Sequence, residues 1–269
     1  MARLKGTGGD VFVASQLLED CEDAWSVAGV GTATSAAVST DAKVGSYSVK
    51  MVCGAGVNNG DILATEVITS VDITSYTTLM YWAKCSVAIT TAGDLQVGVS
   101  ETADLGGSPV YSDIPILAAN TWKYCASTIT TTGLNAVISV GAKLAANDPG
   151  AFDLYLDDIR AAKTVAGIKS WTLDQLVDVI DTTGFDSSGH RAYTPGLAGW
   201  AGTFEGFKEG LPLTIGSQVG LELRESATAT QQFRGNAIIT GLHATTAVDG
   251  VVVYSYDFQG TEALVIPTT

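Results

Sequence analysis

The residues with obvious chemical potential are few. A hydrolytic centre would have to start from His190, His243 or the adjacent acids Asp157-Asp158. A Ser-His-Asp relay needs histidine held between an acid and a serine hydroxyl, and neither histidine lies in a motif that fixes that geometry. The chain has no G-x-S-x-G elbow, no phosphate-cradling P-loop and no H-E-x-x-H pattern. On a regular strand Asp157 and Asp158 point to opposite faces, so they cannot flank one glycosidic bond. Either acid is better suited to ligating a cation through oxygen or to anchoring a turn. Cys21, Cys53, Cys85 and Cys125 are far apart and form no C-x-x-C pair, which argues against zinc and for buried free thiols. The residue types imply no catalytic set and no organic cofactor, so a non-enzymatic role is expected.

Two features invite binding rather than catalysis. Trp82, Trp122, Tyr111 and Tyr124 are candidates for a sugar-stacking platform, with core packing as the plainer alternative. The stretch "FDSSGHRAYTPGLAGWAGTFEGF", Phe185 to Phe207, mixes glycine with aromatics and contains one histidine. The net charge of −14, from 14 Lys+Arg against 28 Asp+Glu, repels nucleic acid and anionic lipid. No apolar stretch is long enough for a membrane helix, and "MARLKGTGGDVFVAS" lacks the apolar core of a secretory signal. A soluble protein made in a cytoplasm is expected.

The elements that must position these residues read as strands. "VGSYSVKMVC" (44–53) alternates, with Tyr47, Val49, Met51 and Cys53 on one face. Further strands are expected at 77–89, 94–100, 121–129, 135–144 and 151–162, separated by turn signals such as Asn58-Asn59-Gly60 and Asn147-Asp148-Pro149-Gly150. After Lys163 cysteine disappears and longer strands follow, at 218–226, 233–246 and 250–264. "SWTLDQLVDVIDTTGF" is ambiguous. Leu173, Leu176, Val177 and Ile180 fit a helical face, Trp171, Leu173, Val177 and Val179 a strand face, and periodicity leans to helix. The fold class is all-β.

Two resemblances follow from ordered motifs. "LLEDCEDAW", "GSYSVKM", "GDILAT", "YTTLMYWAK", "ANTWKYC" and "PGAFDLYLDDIRA" resemble, in order, a carbohydrate-binding-module jelly roll over residues 16–160. "GIKSWTLD", "DTTGFDSSGHRAYTPGLAGWAGTFEGF", "GLELRES" and "AVDGVVVYSYDFQGTEAL" resemble the tail tube (major tail) proteins of long-tailed bacteriophages over 1–15 and 161–269. In such proteins the segments matching "GGDVFVAS" and "VAGIKSW" follow each other closely. The jelly roll therefore reads as an insertion into a discontinuous tail-tube-like β-sandwich, at a place expected to be an exposed turn.

The first resemblance implies a structural calcium, with Glu22 and Asp158 as acids and Gly45 and Lys50 as carbonyl donors. It also makes Trp82, Trp122 and Tyr124 candidate contacts to a host-surface glycan. The second implies that the ambiguous segment is a strand and that a long hairpin loop contacts neighbouring subunits through Phe185, Arg191, Tyr193 and Leu197. It further implies rings, hexameric by resemblance, stacked into a tube with other tail proteins, with DNA passing through unbound and no membrane insertion. The location would be the virion tail, assembled in the host cytoplasm. The alternatives are a head or neck protein of the same fold and a secreted carbohydrate-binding module.

Overall fold

The computed structural model describes residues 10–27, 34–165, 167–184, 190–208, 212–225, 232–246 and 250–266. The chain divides into two compact units: residues 14–163, and the flanking segments up to Val13 and from Thr164 onward. Both crossings fall inside strands, β1 (Val11–Glu19) and β11 (Phe152–Thr164), rather than at the exposed turn expected of an insertion.

Residues 14–163 form two antiparallel sheets. One contains β3 (Thr34–Ser39), β4 (Ser48–Cys53), β6 (Thr78–Cys85), β9 (Lys123–Thr128) and β11, in the order β3-β4-β11-β6-β9. The other has the order β2-β5-β10-β7-β8, with β2 (Ser26–Val27), β5 (Ile62–Val71), β7 (Leu95–Ser100), β8 (Val110–Asp113) and β10 (Val137–Leu144). Their inward residues share one core: Val49, Met51 and Cys53 from β4, Leu154 and Leu156 from β11, Tyr81 from β6, and Val97 and Val140 from the second sheet. The alternation expected of β4 is present, but Tyr47 precedes the strand and is exposed. Cys21, Cys53, Cys85 and Cys125 are all buried free thiols, and burial pushes the Cys21 and Cys85 thiols up in pKa, away from reactive thiolate.

The second unit is one antiparallel sheet in the order β12-β13-β16-β15-β14-β1. Its strands are β12 (Ile168–Asp181), β13 (Tyr193–Phe207), β14 (Gln218–Arg224), β15 (Gln232–Thr245) and β16 (Val253–Gly260). The sheet curls on itself: the Trp171 indole N–H of β12 donates to the Arg224 carbonyl of β14 at 3.2 Å, although three strands separate the two in the sheet order. The curl encloses Phe204, which stacks on Tyr256 at 5.0 Å and Phe258 at 6.1 Å, together with Val219, Leu221 and Leu223. On the outer side Glu222, fully buried, accepts from Arg224 at 2.5 Å and Arg234 at 2.6 Å.

The ambiguous segment is strand throughout β12. Its helical fit fails because no single face is buried: Leu176, Val177, Val179 and Ile180 are all exposed, and they occupy both sides of the ribbon.

Candidate functional site

β12 and β13 pair from Ile168↔Gly206 to Asp181↔Tyr193. β13 pairs with β16 only from Ala201 to Phe207. Beyond Ala201, then, β12 and β13 run on as a two-stranded arm. A lone hairpin is marginal in water, and this one adds bonds near its end. The Thr182 N–H donates to the Ala192 carbonyl at 2.9 Å, the Ala192 N–H to the Thr183 hydroxyl at 3.0 Å, and the Thr183 N–H to Asp181 at 2.9 Å. Hydrogen bonds from Thr183 hold the Asp181 carboxyl below its usual pKa.

The sequence placed four contact residues on this arm. Arg191 is exposed, with one guanidinium N–H directed at the Tyr193 hydroxyl at 3.5 Å. Tyr193 is 53% and Leu197 82% exposed. Phe185 lies outside the described residues. Trp200, at the arm's base, belongs to the core instead: it is 3% exposed and donates to the Glu262 carbonyl at 2.6 Å. Gly260 is required beneath it, since a Cβ there would come within 2.1 Å of the indole.

One feature was missed by sequence reading. A trough of about 220 Å³ lies along one face of the arm between Leu176 and Leu197, with Asp174 and Asp178 beside it and Gly199 among its lining. A Cβ built on Gly199 would meet nothing within 4 Å. Pairing sets this: Gly199 lies directly opposite Leu176, so the strand bearing the large residue faces one with almost no side chain. Only the β-pairing register, invisible in one dimension, brings them together.

In the unit of residues 14–163, of the four residues read as calcium ligands, Glu22 and Gly45 lie together, whereas the Lys50 and Asp158 side chains are committed to other partners. Glu22 Oε1 accepts from the Ser46 N–H at 2.8 Å and the Tyr47 N–H at 3.2 Å. Gly45, at φ +67, lies so close that a Cβ would sit 1.9 Å from that oxygen. Lys50 is mid-strand between β3 and β11, where its carbonyl is committed to the sheet, and its side chain pairs with Asp153 at 2.8 Å. Asp158 is clamped by Arg160, whose Nε donates to both carboxylate oxygens at 2.8 and 3.0 Å. Asp157 is the acid that faces the loop: its Oδ2 accepts from Lys43 N–H at 2.6 Å and Val44 N–H at 3.0 Å, while its buried Oδ1 has no partner. Burial pushes its pKa up to about 7, the two amides oppose this, and Asp158 and Glu22 add to it. The regular pleat that the assignment of opposite faces assumes is broken at these acids, because β11 bulges here. Pairing steps from Asp157↔Trp82 to Arg160↔Met80, and Asp158 takes φ 49, so both acids are buried.

The aromatic platform does not form as read. Trp82 and Tyr124 are buried against each other at 4.9 Å, so neither offers an open ring face to a sugar. Trp122 is partly exposed, and its indole N–H donates to Asp41 at 2.8 Å. Lys84, which also pairs with Asp41, lies 3.8 Å above the ring of Tyr155, an aromatic the sequence reading passed over. Of the histidines, His243 contacts Asp257 at 2.8 Å on an exposed surface and His190 is exposed. Among the described residues no group of three or more His, Cys, Asp or Glu is placed to hold a metal ion.

No family model matches the chain, and no curated protein matches it. Among solved structures, it is similar to a chain in the tail of an empty gene transfer agent particle computed with C6 symmetry, at 13% identity and TM-score 0.34, covering 40% of this chain and 87% of that one. A chain of the native gene transfer agent virion is similar at 14% identity and TM-score 0.34, covering 40% and 89%. An exo-beta-agarase is similar at 12% identity and TM-score 0.37, covering 55% of this chain and 25% of the agarase. At these values the likenesses carry no argument about function.

Proposed function

We propose that this chain is a structural subunit of a phage-type tail tube whose copies join through the β12–β13 arm into rings that stack around a DNA channel. The observation that carries the reading is the arm itself. It exposes Leu176, Val177, Val179, Ile180, Tyr193 and Leu197 on a ribbon with no buried face of its own. Apolar side chains on both sides of an unsupported hairpin gain nothing in a monomer and desolvate on contact with another copy. β12 is also the end strand of its sheet, so its outer backbone groups are open to pairing, and ring closure would satisfy them. Six copies per ring, contact with other tail proteins and a place in the virion come from the sequence resemblance alone. An acidic lumen would let DNA slide without phosphate contacts, in keeping with the net charge of −14. Residues 14–163 would decorate the outside, with a surface glycan as their candidate ligand near Trp122.

Sedimentation velocity over a concentration series tests self-assembly. Large discrete species that grow with concentration are expected, and a monomer at every concentration refutes it.

The implied calcium would be held by Glu22 and Asp157, with carbonyls of the 40–47 loop and water completing the six to eight oxygens it needs. The unpartnered Oδ1 of buried Asp157 fits a hard cation. Such an ion would tie the loop to β11 and neutralise two close carboxylates. A pH dependence follows. Asp157 and Glu19 both have folded pKa values raised to about 7, mainly by burial, so the folded state holds protons that the unfolded chain has already lost. Their contribution is therefore greatest below the unfolded values near 4, falls as pH rises toward 7, and is flat above. In chelator the melting temperature of this unit should be higher at pH 5 than at pH 8, and Asp157→Asn should reduce the difference by about half, leaving the share from Glu19. Calcium should raise the melting temperature at pH 8 in the parent and not in Asp157→Asn. Equal calcium effects in both proteins would remove the metal assignment.

A further inference from the structure

We infer that the unit of residues 14–163 takes an extended basic segment of another polypeptide along the outer edge of β5, in an acidic trough beside the end of β1. This is separate from the self-assembly reading and stands whether or not that reading holds. β5 pairs with β10 on one side, from Lys143↔Ile62 to Val137↔Val71. On the other side β2 meets it only at Thr65 and Ala64. Among the described residues no strand pairs with that outer edge from Glu66 to Val71, a stretch of about 20 Å at roughly 3.3 Å per residue. Such an edge presents main-chain donors and acceptors that an extended peptide can satisfy by adding as a strand. β5 bulges between Val67 and Val71, which bends it and limits the added strand to a short segment.

A trough of about 420 Å³ lies along this edge, where Glu66 and Val67 of β5 share its lining with Leu17 and Glu19 of β1 and with Asp20 and Asp23 beyond. The lining holds these four acids and no Lys or Arg. Among the described residues none of the four makes an ion pair. The acids act on one another. Burial, and then the charge of Asp23, raises the Glu66 carboxyl above its usual pKa. Glu19 is pushed up to about 7, chiefly by burial; the Cys21 N–H opposes this, and Asp20 and Asp23 add to it. Lysine or arginine side chains brought in from outside would relieve that repulsion. Leu17 and Val67, both exposed, offer apolar area beside the acids. The occupant that fits is therefore an extended segment in which basic and apolar residues alternate. Pairing the β5 edges of two copies would set one acidic trough against another, so charge selects against a second copy at this edge. A polyamine would match the charge but has no amides to pair with the strand.

The test uses the full chain at pH 8 and a fluorescein-labelled peptide of alternating lysine and valine, read by fluorescence anisotropy with circular dichroism as the fold control. The parent should bind the peptide, and Glu66→Gln/Asp23→Asn should weaken binding about tenfold or more. Two N-methylated peptides separate strand addition from charge alone, and they need no change to the protein. One is blocked at its lysine amides and the other at its valine amides, so both keep every charge. On a strand these two sets of amides face opposite edges, and only one set can meet β5. The two peptides should therefore differ in affinity by about tenfold or more. Absence of binding to the parent, equal binding by the folded Glu66→Gln/Asp23→Asn protein, or N-methylated peptides that bind alike would each overturn the inference.

Discussion

Replacing residues 178–197 with Asn-Gly should give a monomer that folds normally and does not assemble. The replacement joins Val177 to Ala198, which are paired in the hairpin, through the two-residue turn whose twist suits antiparallel strands. It removes Ile180, Tyr193 and Leu197, all exposed, and leaves Trp200 and Phe204 in the core. Because little buried surface is lost, the melting temperature should stay within about 3 °C of the parent, a shift that reflects about 1–2 kcal/mol in a chain of this size. Assembly should be undetectable at concentrations where the parent is fully assembled. A shortened protein that still assembles would show that the copies meet elsewhere. One that unfolds would show that the arm supports the subunit rather than its neighbours.

The second large effect lies in the core of the curled sheet. Phe204→Ala should destabilise this unit by about 3–5 kcal/mol, the usual range for losing a fully buried phenylalanine. Phe204 has no exposed surface and stacks between rings from β16, so its removal leaves a cavity that neighbouring strands cannot easily close. Against a typical total of about 5–15 kcal/mol, that loss leaves the unit marginal or unfolded at 37 °C. Chemical denaturation followed by tryptophan fluorescence, with Trp171 and Trp200 as probes, measures it. A loss below about 1.5 kcal/mol would show that the stack is not the centre of this core.

The sequence made the all-β class legible wherever one face of a strand is buried. β4 alternates because Val49, Met51 and Cys53 face a core while Lys50 and Val52 do not. β12 was illegible for the converse reason: hydrophobic periodicity records burial within one subunit, and this strand has almost none. Only the resemblance to tail tube proteins read it as strand. At the acids of β11 alternation is no guide, because it assumes a regular pleat and the bulge at Asp158 adds a residue. Which acid lacks a partner depends on where Arg160 and the 40–47 loop fall, and no local pattern encodes that. Trp82 and Tyr124 take the plainer alternative, core packing; the platform stayed open in the sequence because aromatic composition does not distinguish a ring that stacks on a ligand from one that stacks on its neighbour. Arg191, Tyr193 and Leu197 entered as contact residues only through the resemblance to tail tube proteins, and the trough opposite Leu176 was not legible, since it exists only in the paired register.

The central claim is that the β12–β13 arm joins copies of this chain. Electron cryomicroscopy of the purified protein at assembling concentration tests it most directly, because it shows both the assembly and which surface makes it. The account predicts closed rings or stacked tubes in which the arm of each copy lies against a neighbour, with Leu176 and Leu197 covered. Particles in which the arm projects into solvent, with copies meeting through residues 14–163 or not at all, would contradict it.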